Sequence, residues 1–178
     1  DYELPAATTM RDFLEGFHVE DLPLLHSGEK TSVPAESVPL AGVGAANRRI
    51  LAAVQQSAPQ TIATLDVDAT LLEAHKRTAA VTYEGMRGYQ PVVVVWAEQD
   101  LIVHDEFRDG NVPAGCGNAR ILERAVARLP PGLTQIFVRG DSALYEQEVL
   151  AWCEAPKREI EYAISADMSP PLRAEIGR

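Results

Sequence analysis

The order of apolar periodicities between Thr61 and Ser165 constrains the fold of this chain more than any other feature. Three β-prone runs come first, and two amphipathic helical patterns then alternate with two further strands. The strands are predicted at 61–67, 91–97, 101–107, 135–139 and 160–165, and the helices at 117–129 and 144–154. This order predicts an α/β fold with a mixed five-stranded sheet: three antiparallel strands, then helix, strand, helix and strand, with flanking helices.

The connections predict which strands are neighbours. Right-handed crossovers place the fourth strand, which ends at Gly140-Asp141, beside the first strand, which ends at Asp68-Ala69. Each of these strands ends with an aspartate followed by a small residue. We therefore expect Asp68 and Asp141 to face the same crevice, where they can share a divalent cation.

Asp66 adds a second carboxylate to the first strand. It alternates with Asp68 around Val67, so both carboxylates emerge from the same face of the strand. Two anions on one partly covered face repel each other, and a bound Mg²⁺ or Mn²⁺ would compensate them. A basic side chain is the alternative compensation, and the candidates are Lys76, Arg87 and Arg139.

Other reactive residues carry weaker signals. Asp141 alone, followed by Ser142 and a helical pattern, is also typical of a helix cap. Ser142 lacks the Gly-x-Ser-x-Gly spacing of a hydrolase, and His75 and His104 have no partners at the spacing of a metal or nucleophile motif. We interpret both histidines as ordinary surface or core residues.

Composition restricts the class of protein. The formal charge is −10, whereas DNA-binding domains usually present a basic face. No run reaches the roughly 18 apolar residues of a membrane span, and no secretory leader is visible. Cys116 and Cys153 form no metal motif, so reduced thiols in a cytoplasmic protein are expected.

The chain is expected to have three parts. Residues 1–45, rich in proline and glycine, predict an irregular arm with a short helix at 9–17. Residues 46–165, opening with a helix at 46–56, predict the core domain, which the resemblance described next implies to be the catalytic core. Residues 166–178, with Pro170-Pro171, predict the start of a missing insertion or C-terminal segment. Since the chain opens at Asp1 without a methionine, we expect it to be a fragment of a longer protein.

Three motifs together resemble a known family. They are Thr64-Leu65-Asp66-Val67-Asp68-Ala69-Thr70, Glu106-Phe107-Arg108-Asp109-Gly110-Asn111 and Val138-Arg139-Gly140-Asp141-Ser142. In order and spacing they resemble the DDE transposases of bacterial insertion sequences, which have a ribonuclease-H-like core. The resemblance covers roughly 46–178. Within the family, the chain is similar to the branch that has a β-strand insertion between the second aspartate and the glutamate.

The resemblance implies roles for particular residues. Asp68 matches the first acid of the triad, Asp141 matches the second, and Asp66 is a possible alternative or supporting ligand. The third acid of the family is a glutamate in a Tyr/Arg/Glu/Lys signature on a helix, and no such signature lies between Asp141 and Arg178. The glutamates available by residue type alone are Glu148, Glu154, Glu161 and Glu175.

The implied chemistry is phosphoryl transfer on DNA. In the family, two Mg²⁺ ions about 4 Å apart, held by three carboxylates, support strand cleavage and then strand transfer. The implied partners are transposon ends and target DNA, bound by a homodimer in the nucleoid. We expect this chain to bind one Mg²⁺ or Mn²⁺ weakly and not to cleave DNA. The alternatives are a metal-dependent nuclease of the same fold and a non-catalytic interaction module whose aspartates only cap and form ion pairs.

Overall fold

The computed structural model describes residues 5–17, 23–27, 31–156, 158–166 and 168–177. The helices in these ranges are α1 (Ala7–Glu15), α2 (Val38–Ser57), α3 (Asn118–Arg128), α4 (Gln147–Cys153) and α5 (Pro170–Ile176). The strands are β1 (Leu24–Ser27), β2 (Ser32–Pro34), β3 (Ile62–Ala69), β4 (Leu72–Glu73), β5 (Ala80–Val81), β6 (Arg87–Tyr89), β7 (Val92–Trp96), β8 (Leu101–Glu106), β9 (Gln135–Gly140) and β10 (Ile160–Ile164). A 3₁₀ turn, Ser142–Leu144, follows β9.

A mixed five-stranded sheet forms the centre of the molecule. Its strand order is β10-β9-β3-β7-β8. β3 pairs in parallel with β9, and β9 pairs in parallel with β10, whereas the β3–β7 and β7–β8 pairs are antiparallel. The predicted fold class is confirmed, including the crossover that brings the fourth core strand beside the first.

One face of the sheet carries the hydrophobic core. Along β3, Ala63, Leu65 and Val67 are buried, while the alternate residues are more exposed. The apolar stripe of α3 and the inward residues of α4 pack in the same cluster, and its helical members include Ile121, Leu122, Ala125, Val149, Trp152 and Cys153. Burying each large apolar side chain contributes about 1.5–3 kcal/mol. The opposite face of β3 is therefore left to polar residues.

The N-terminal region is more regular than expected. The short helix predicted at 9–17 is present as α1, but the helix predicted from residue 46 begins at Val38, so residues 38–45 are helical rather than irregular. Ser37 caps α2 by accepting a hydrogen bond from the Leu40 amide at 3.4 Å. Pro39 lies in the first helical turn, where its missing N–H costs no hydrogen bond.

The first 45 residues also contain an unpredicted antiparallel hairpin of β1 and β2. The predicted boundary at 45/46 falls inside α2, and the division into arm, core and following segment stays a prediction. Parts of the predicted arm, at 1–4, 18–22 and 28–30, lie outside the described residues. None of the helices in the described ranges is long and apolar enough to cross a bilayer.

Two core segments also differ in detail from the prediction. Residues 72–89, for which no element is predicted above, contain a small sheet of order β4-β6-β5. Close backbone approach explains its glycine, because a Cβ at Gly88 would lie 2.4 Å from the Leu72 carbonyl oxygen. The helix predicted at 144–154 is divided into the 3₁₀ turn and α4, and the predicted new element after residue 166 begins as α5.

Candidate functional site

The ends of β3 and β9 bring the two predicted acids to one edge of the sheet. The parallel register pairs Asp66 with Arg139 and Val67 with Gly140, so Asp68 and Asp141 are the next positions on the two strands. Adjacent strands are about 4.8 Å apart. Each acid lies two residues beyond a paired residue, so strand alternation directs both to the same face. The predicted adjacency of the strand ends is confirmed.

Asp68 and Asp141 are both exposed, but their side chains differ in what they contact. Asp141 caps the 3₁₀ turn, since its Oδ1 accepts a hydrogen bond from the Ala143 amide at 2.9 Å. This leaves its other oxygen available. Asp68 has no side-chain hydrogen bond or ion pair to any residue of the described ranges. The edge therefore offers carboxylate oxygen atoms to solvent from two neighbouring strands.

Asp66 has a strong internal partner. Arg139 donates to both of its oxygens, from Nε to Oδ1 and from Nη2 to Oδ2, each at 2.6 Å. These hydrogen bonds to Asp66 raise the pKa of Arg139 above its ordinary value. Arg139 thus neutralises the charge of Asp66, which is the predicted alternative to a bound cation. Asp66 as a metal ligand stays a prediction, and it requires Arg139 to move.

The other two candidate bases do not reach the aspartates. Arg87 donates from Nη1 to the carbonyl oxygens of Arg77 and Ala79, at 3.3 and 2.7 Å, and so supports the small sheet. Lys76 forms no ion pair within the described part of the chain. The charge on Asp68 therefore has no basic partner there.

The residues at the edge fit one divalent cation. Two exposed carboxylates on adjacent strands supply the oxygen donors that Mg²⁺ and Mn²⁺ prefer, with water completing the coordination. Within the described ranges there is no group of three or more His, Cys, Asp or Glu side chains placed to hold a metal. Among the glutamates of the C-terminal part, Glu154 accepts a hydrogen bond from Tyr162, and Glu161 accepts one from Gln135. No third acid is placed with Asp68 and Asp141 among the described residues.

Sequence reasoning missed a buried charge network beside the site. Glu106 accepts from Arg108 Nε at 2.8 Å and from both terminal nitrogens of Arg120. Burial raises the pKa of Glu106, but the hydrogen bonds from Arg120 and Arg108 outweigh that effect and keep it below its ordinary value. Glu106 and Arg108 lie on either side of Phe107, so an extended chain places both charged side chains on one face. This alternation is the sequence signal for the network.

The same network holds the loop that follows β8. Arg108 is completely buried and also donates to the carbonyl oxygens of Pro113 and Ala114. Asn118, at the start of α3, donates from Nδ2 to the carbonyl oxygens of Ala114 and Ala143, both at 3.1 Å. The loop is thereby tied to the turn that Asp141 caps, which stabilises the position of this acid.

With this geometry in place, the comparison with protein families is decisive. Residues 30–178 match the family described as Transposase DDE domain group 1. The chain belongs to this family of DDE transposases. No match was found among curated proteins.

Several solved structures resemble this DDE transposase chain. The catalytic domain of Mos1 mariner transposase is 15% identical with a TM-score of 0.45, and the match covers 82% of this chain and 74% of that one. The Mos1 paired-end complex with Mn is 13% identical with a TM-score of 0.43, covering 97% and 57%. A piggyBac transposase synaptic complex with hairpin DNA is 9% identical with a TM-score of 0.46, covering 65% and 26%. The chain thus spans about a quarter of the piggyBac chain.

Proposed function

We propose that this chain contributes the first two acids of a metal-dependent site for DNA strand cleavage and strand transfer during transposition. The observation that carries the proposal is the pairing of β3 with β9, which brings Asp68 and Asp141 to one edge in a member of the DDE transposase family. Asp68 is the residue on which the proposal depends most, since it has no internal partner among the described residues.

The side chains divide the work at the edge. Asp68 and the free oxygen of Asp141 would bind a divalent cation, while the cap at Ala143 keeps Asp141 oriented. A bound Mg²⁺ or Mn²⁺ supplies activation of water or a 3′-hydroxyl and neutralises charge on the reacting phosphate. Arg139 lies beside the same edge, where it is paired with Asp66.

Two carboxylates alone leave the site incomplete for the two-metal reaction. We infer that the chain by itself binds one cation weakly and does not cleave DNA, and that a glutamate from elsewhere in the protein completes the triad. The proposed partners are transposon ends and target DNA, bound by a homodimer in the nucleoid of the cytoplasm. The parent element is proposed to be a bacterial insertion sequence.

Metal titration tests the two ligands directly. Mn²⁺ binding to the 178-residue chain, measured by calorimetry and by relaxation of solvent protons, should be at least tenfold weaker in Asp68→Asn and in Asp141→Asn. Asn is also a good N-cap, so Asp141→Asn removes charge while keeping the cap at Ala143. Asp100→Asn, at an exposed turn with positive φ that Asn tolerates, is the matched control and should bind as the parent does.

Two results would contradict the proposal in different ways. Equal Mn²⁺ affinity in all four proteins would remove the metal site from this edge. Metal-dependent nicking of plasmid DNA by the purified chain, abolished in Asp68→Ala, would keep the site but overturn the inference that two acids do not suffice.

A second candidate function is a non-catalytic interaction module. Two contacts favour it: Asp66 forms an ion pair with Arg139, and Asp141 caps a turn, as this alternative expects. Asp68 distinguishes the two candidate functions. A purely structural role would require an internal partner, and Asp68 has none among the described residues. A lower affinity for Mn²⁺ in Asp68→Asn than in the parent would support the metal site over the interaction module.

A further inference from the structure

The face of α3 that lies toward β8 carries three arginines. Arg120, Arg124 and Arg128 follow one another at four-residue spacing, which places them on one side of the helix. Arg120 is neutralised by Glu106, and Arg128 lies 3.4 Å from an oxygen of Glu36. Arg124 forms no hydrogen bond or ion pair with any described residue. The middle arginine is therefore a free cation between two paired ones.

An open notch collects these charges. It has a volume of about 370 Å³ and lies between α2 and α3. Its polar walls are the guanidinium groups of Arg48, Arg124 and Arg128 and the carboxylate of Glu36. Three cations thus face one anion, in a chain whose formal charge is −10. Like charges brought together in this way repel each other, and an anion bound from outside the chain would relieve the repulsion.

A buried histidine lies behind the notch. His104 is 2% exposed, and neither of its ring nitrogens has a hydrogen-bond partner among the described residues. Burial and then the charges of Arg128 and Arg124 lower its pKa to about 4. It lines a larger cavity of about 580 Å³ that shares Arg124 and Arg128 with the notch. Glu36, Asp105 and Glu106 also line that cavity, so the excess of positive charge is confined to the notch.

We propose that this arginine notch binds a phosphate group of a DNA backbone, at a place separate from the acid-bearing edge. The inference rests on the proposed function, which makes DNA the substrate. Arginine matches phosphate because its planar fork donates two parallel hydrogen bonds to phosphate oxygens. Arg49, exposed beside Arg48 on α2, extends the positive surface beyond the notch, which suits a polymer of phosphates better than a single small anion.

The notch lies on the helix whose first residue is bonded to the turn that Asp141 caps. α3 begins at Asn118, which is bonded to the turn capped by Asp141, and Arg124 and Arg128 lie six and ten residues further on. At 1.5 Å per residue this separation is roughly 9–15 Å along the helix.

Duplex binding without metal tests the notch apart from the acids. A fluorescein-labelled duplex is titrated with the 178-residue chain in EDTA, and anisotropy is followed over a series of salt concentrations. The double variant Arg48→Gln/Arg124→Gln should bind about tenfold more weakly, and its slope of log K against log salt should be shallower by about 1.8, or about 0.9 for each lost phosphate contact. Arg11→Gln/Arg173→Gln, with exposed arginines on α1 and α5, is the matched control and should retain the parent affinity and slope.

Stability distinguishes a ligand site from a structural cluster. If the notch is kept for DNA, the double variant should unfold at the same temperature as the parent or higher, because repulsion is relieved. A lower unfolding temperature together with weaker binding would assign the arginines to packing and overturn the inference. Parent affinity and slope in the double variant, or no duplex binding by the parent at low salt, would also overturn it.

Inorganic phosphate provides the remaining comparison. If phosphate at concentrations comparable to the duplex shifts the Arg48 and Arg124 Nε–H resonances and displaces the duplex, the notch is a site for a free anion, and the DNA assignment is wrong. Mn²⁺ titration remains separate from all these measurements. A chain that binds duplex through the notch but binds no Mn²⁺ keeps this inference and loses the proposed catalytic site.

Discussion

Glu106 and Asp68 are carboxylates at the same end of one sheet, yet they lie in opposite surroundings. Val92 pairs with Ala69 on one side and with Glu106 on the other, so the ends of β3 and β8 are level. The Glu106 side chain is 6% exposed and is held by two arginines. Asp68 is exposed and has no partner among the described residues. The difference follows from the face of the sheet to which each residue points.

This comparison separates charges that serve the fold from charges available to a ligand. A carboxylate on the core face must be neutralised within the protein, because an unpaired buried charge is very costly. A carboxylate on the open face carries no such cost and can be left for an external cation. Whether a carboxylate is paired within the protein, rather than its residue type, therefore indicates which acids belong to the candidate site.

The largest expected effect comes from breaking the buried network. Arg108→Met keeps the length of the side chain but removes a charged donor from Glu106 and the donors to the loop carbonyls. We expect the free energy of unfolding, measured with urea, to fall by about 3–5 kcal/mol. Arg139→Met is the matched exposed variant and should cost much less, because solvent screens its ion pair. A similarly small loss in Arg108→Met would mean that Arg120 alone satisfies Glu106.

The next effect concerns pH and the buried His104. Burial and the charges of Arg128 and Arg124 lower its pKa from the ordinary value of 6.5 to about 4. Between these values the unfolded chain binds more protons than the folded chain. Stability is therefore lost as the pH falls from 6.5 towards about 4, by roughly 3 kcal/mol in total.

Urea unfolding of His104→Leu over the same pH range measures this contribution. Above pH 4.5 the free energy of unfolding of the variant should fall much less than that of the parent, because leucine does not titrate. A remaining decline below 4.5 belongs to Glu106 and Glu98, whose pKa values are lowered in the fold and whose stabilisation is lost when they are protonated. An identical decline in parent and variant would show that His104 accepts a proton in the folded chain without cost.

The sheet and the acid edge could be predicted because their signals are local or general. Alternating apolar residues define each strand, and the handedness of crossovers puts β9 beside β3. The start of α2 could not be predicted in the same way. Pro39, Gly42 and Gly44 disfavour helix on propensity, and the cap at Ser37 and the packing of Leu51 in the core outweigh them.

The partners of the charged residues were less predictable. Arg120 reaches Glu106 across fourteen residues of sequence, and Arg139 reaches Asp66 across seventy-three. Such pairs depend on the register of strands and the rotation of a helix, which sequence patterns do not specify. Arg139 was only one of three candidate bases, and the structure selects it because the register puts it directly opposite Asp66.

The smallest expected effect on stability comes from the exposed pair beside the site. The side chains of Asp66 and Arg139 are 41% and 55% exposed, so solvent screens most of their attraction. Asp66→Asn should therefore change the free energy of unfolding by less than about 1 kcal/mol, and the change should shrink at high salt.

Asp66→Asn also tests, in the Mn²⁺ titration, whether Asp66 is a ligand of the cation. If Asp66 only holds Arg139, the affinity for Mn²⁺ should stay within about threefold of the parent, whereas loss of a ligand should weaken it at least tenfold. A tenfold loss would place Asp66 with Asp68 and Asp141 as a ligand and require the arginine to leave when the cation binds. Arg139→Gln then decides the order of events, because removing the competing guanidinium should strengthen Mn²⁺ binding only if Asp66 is a ligand.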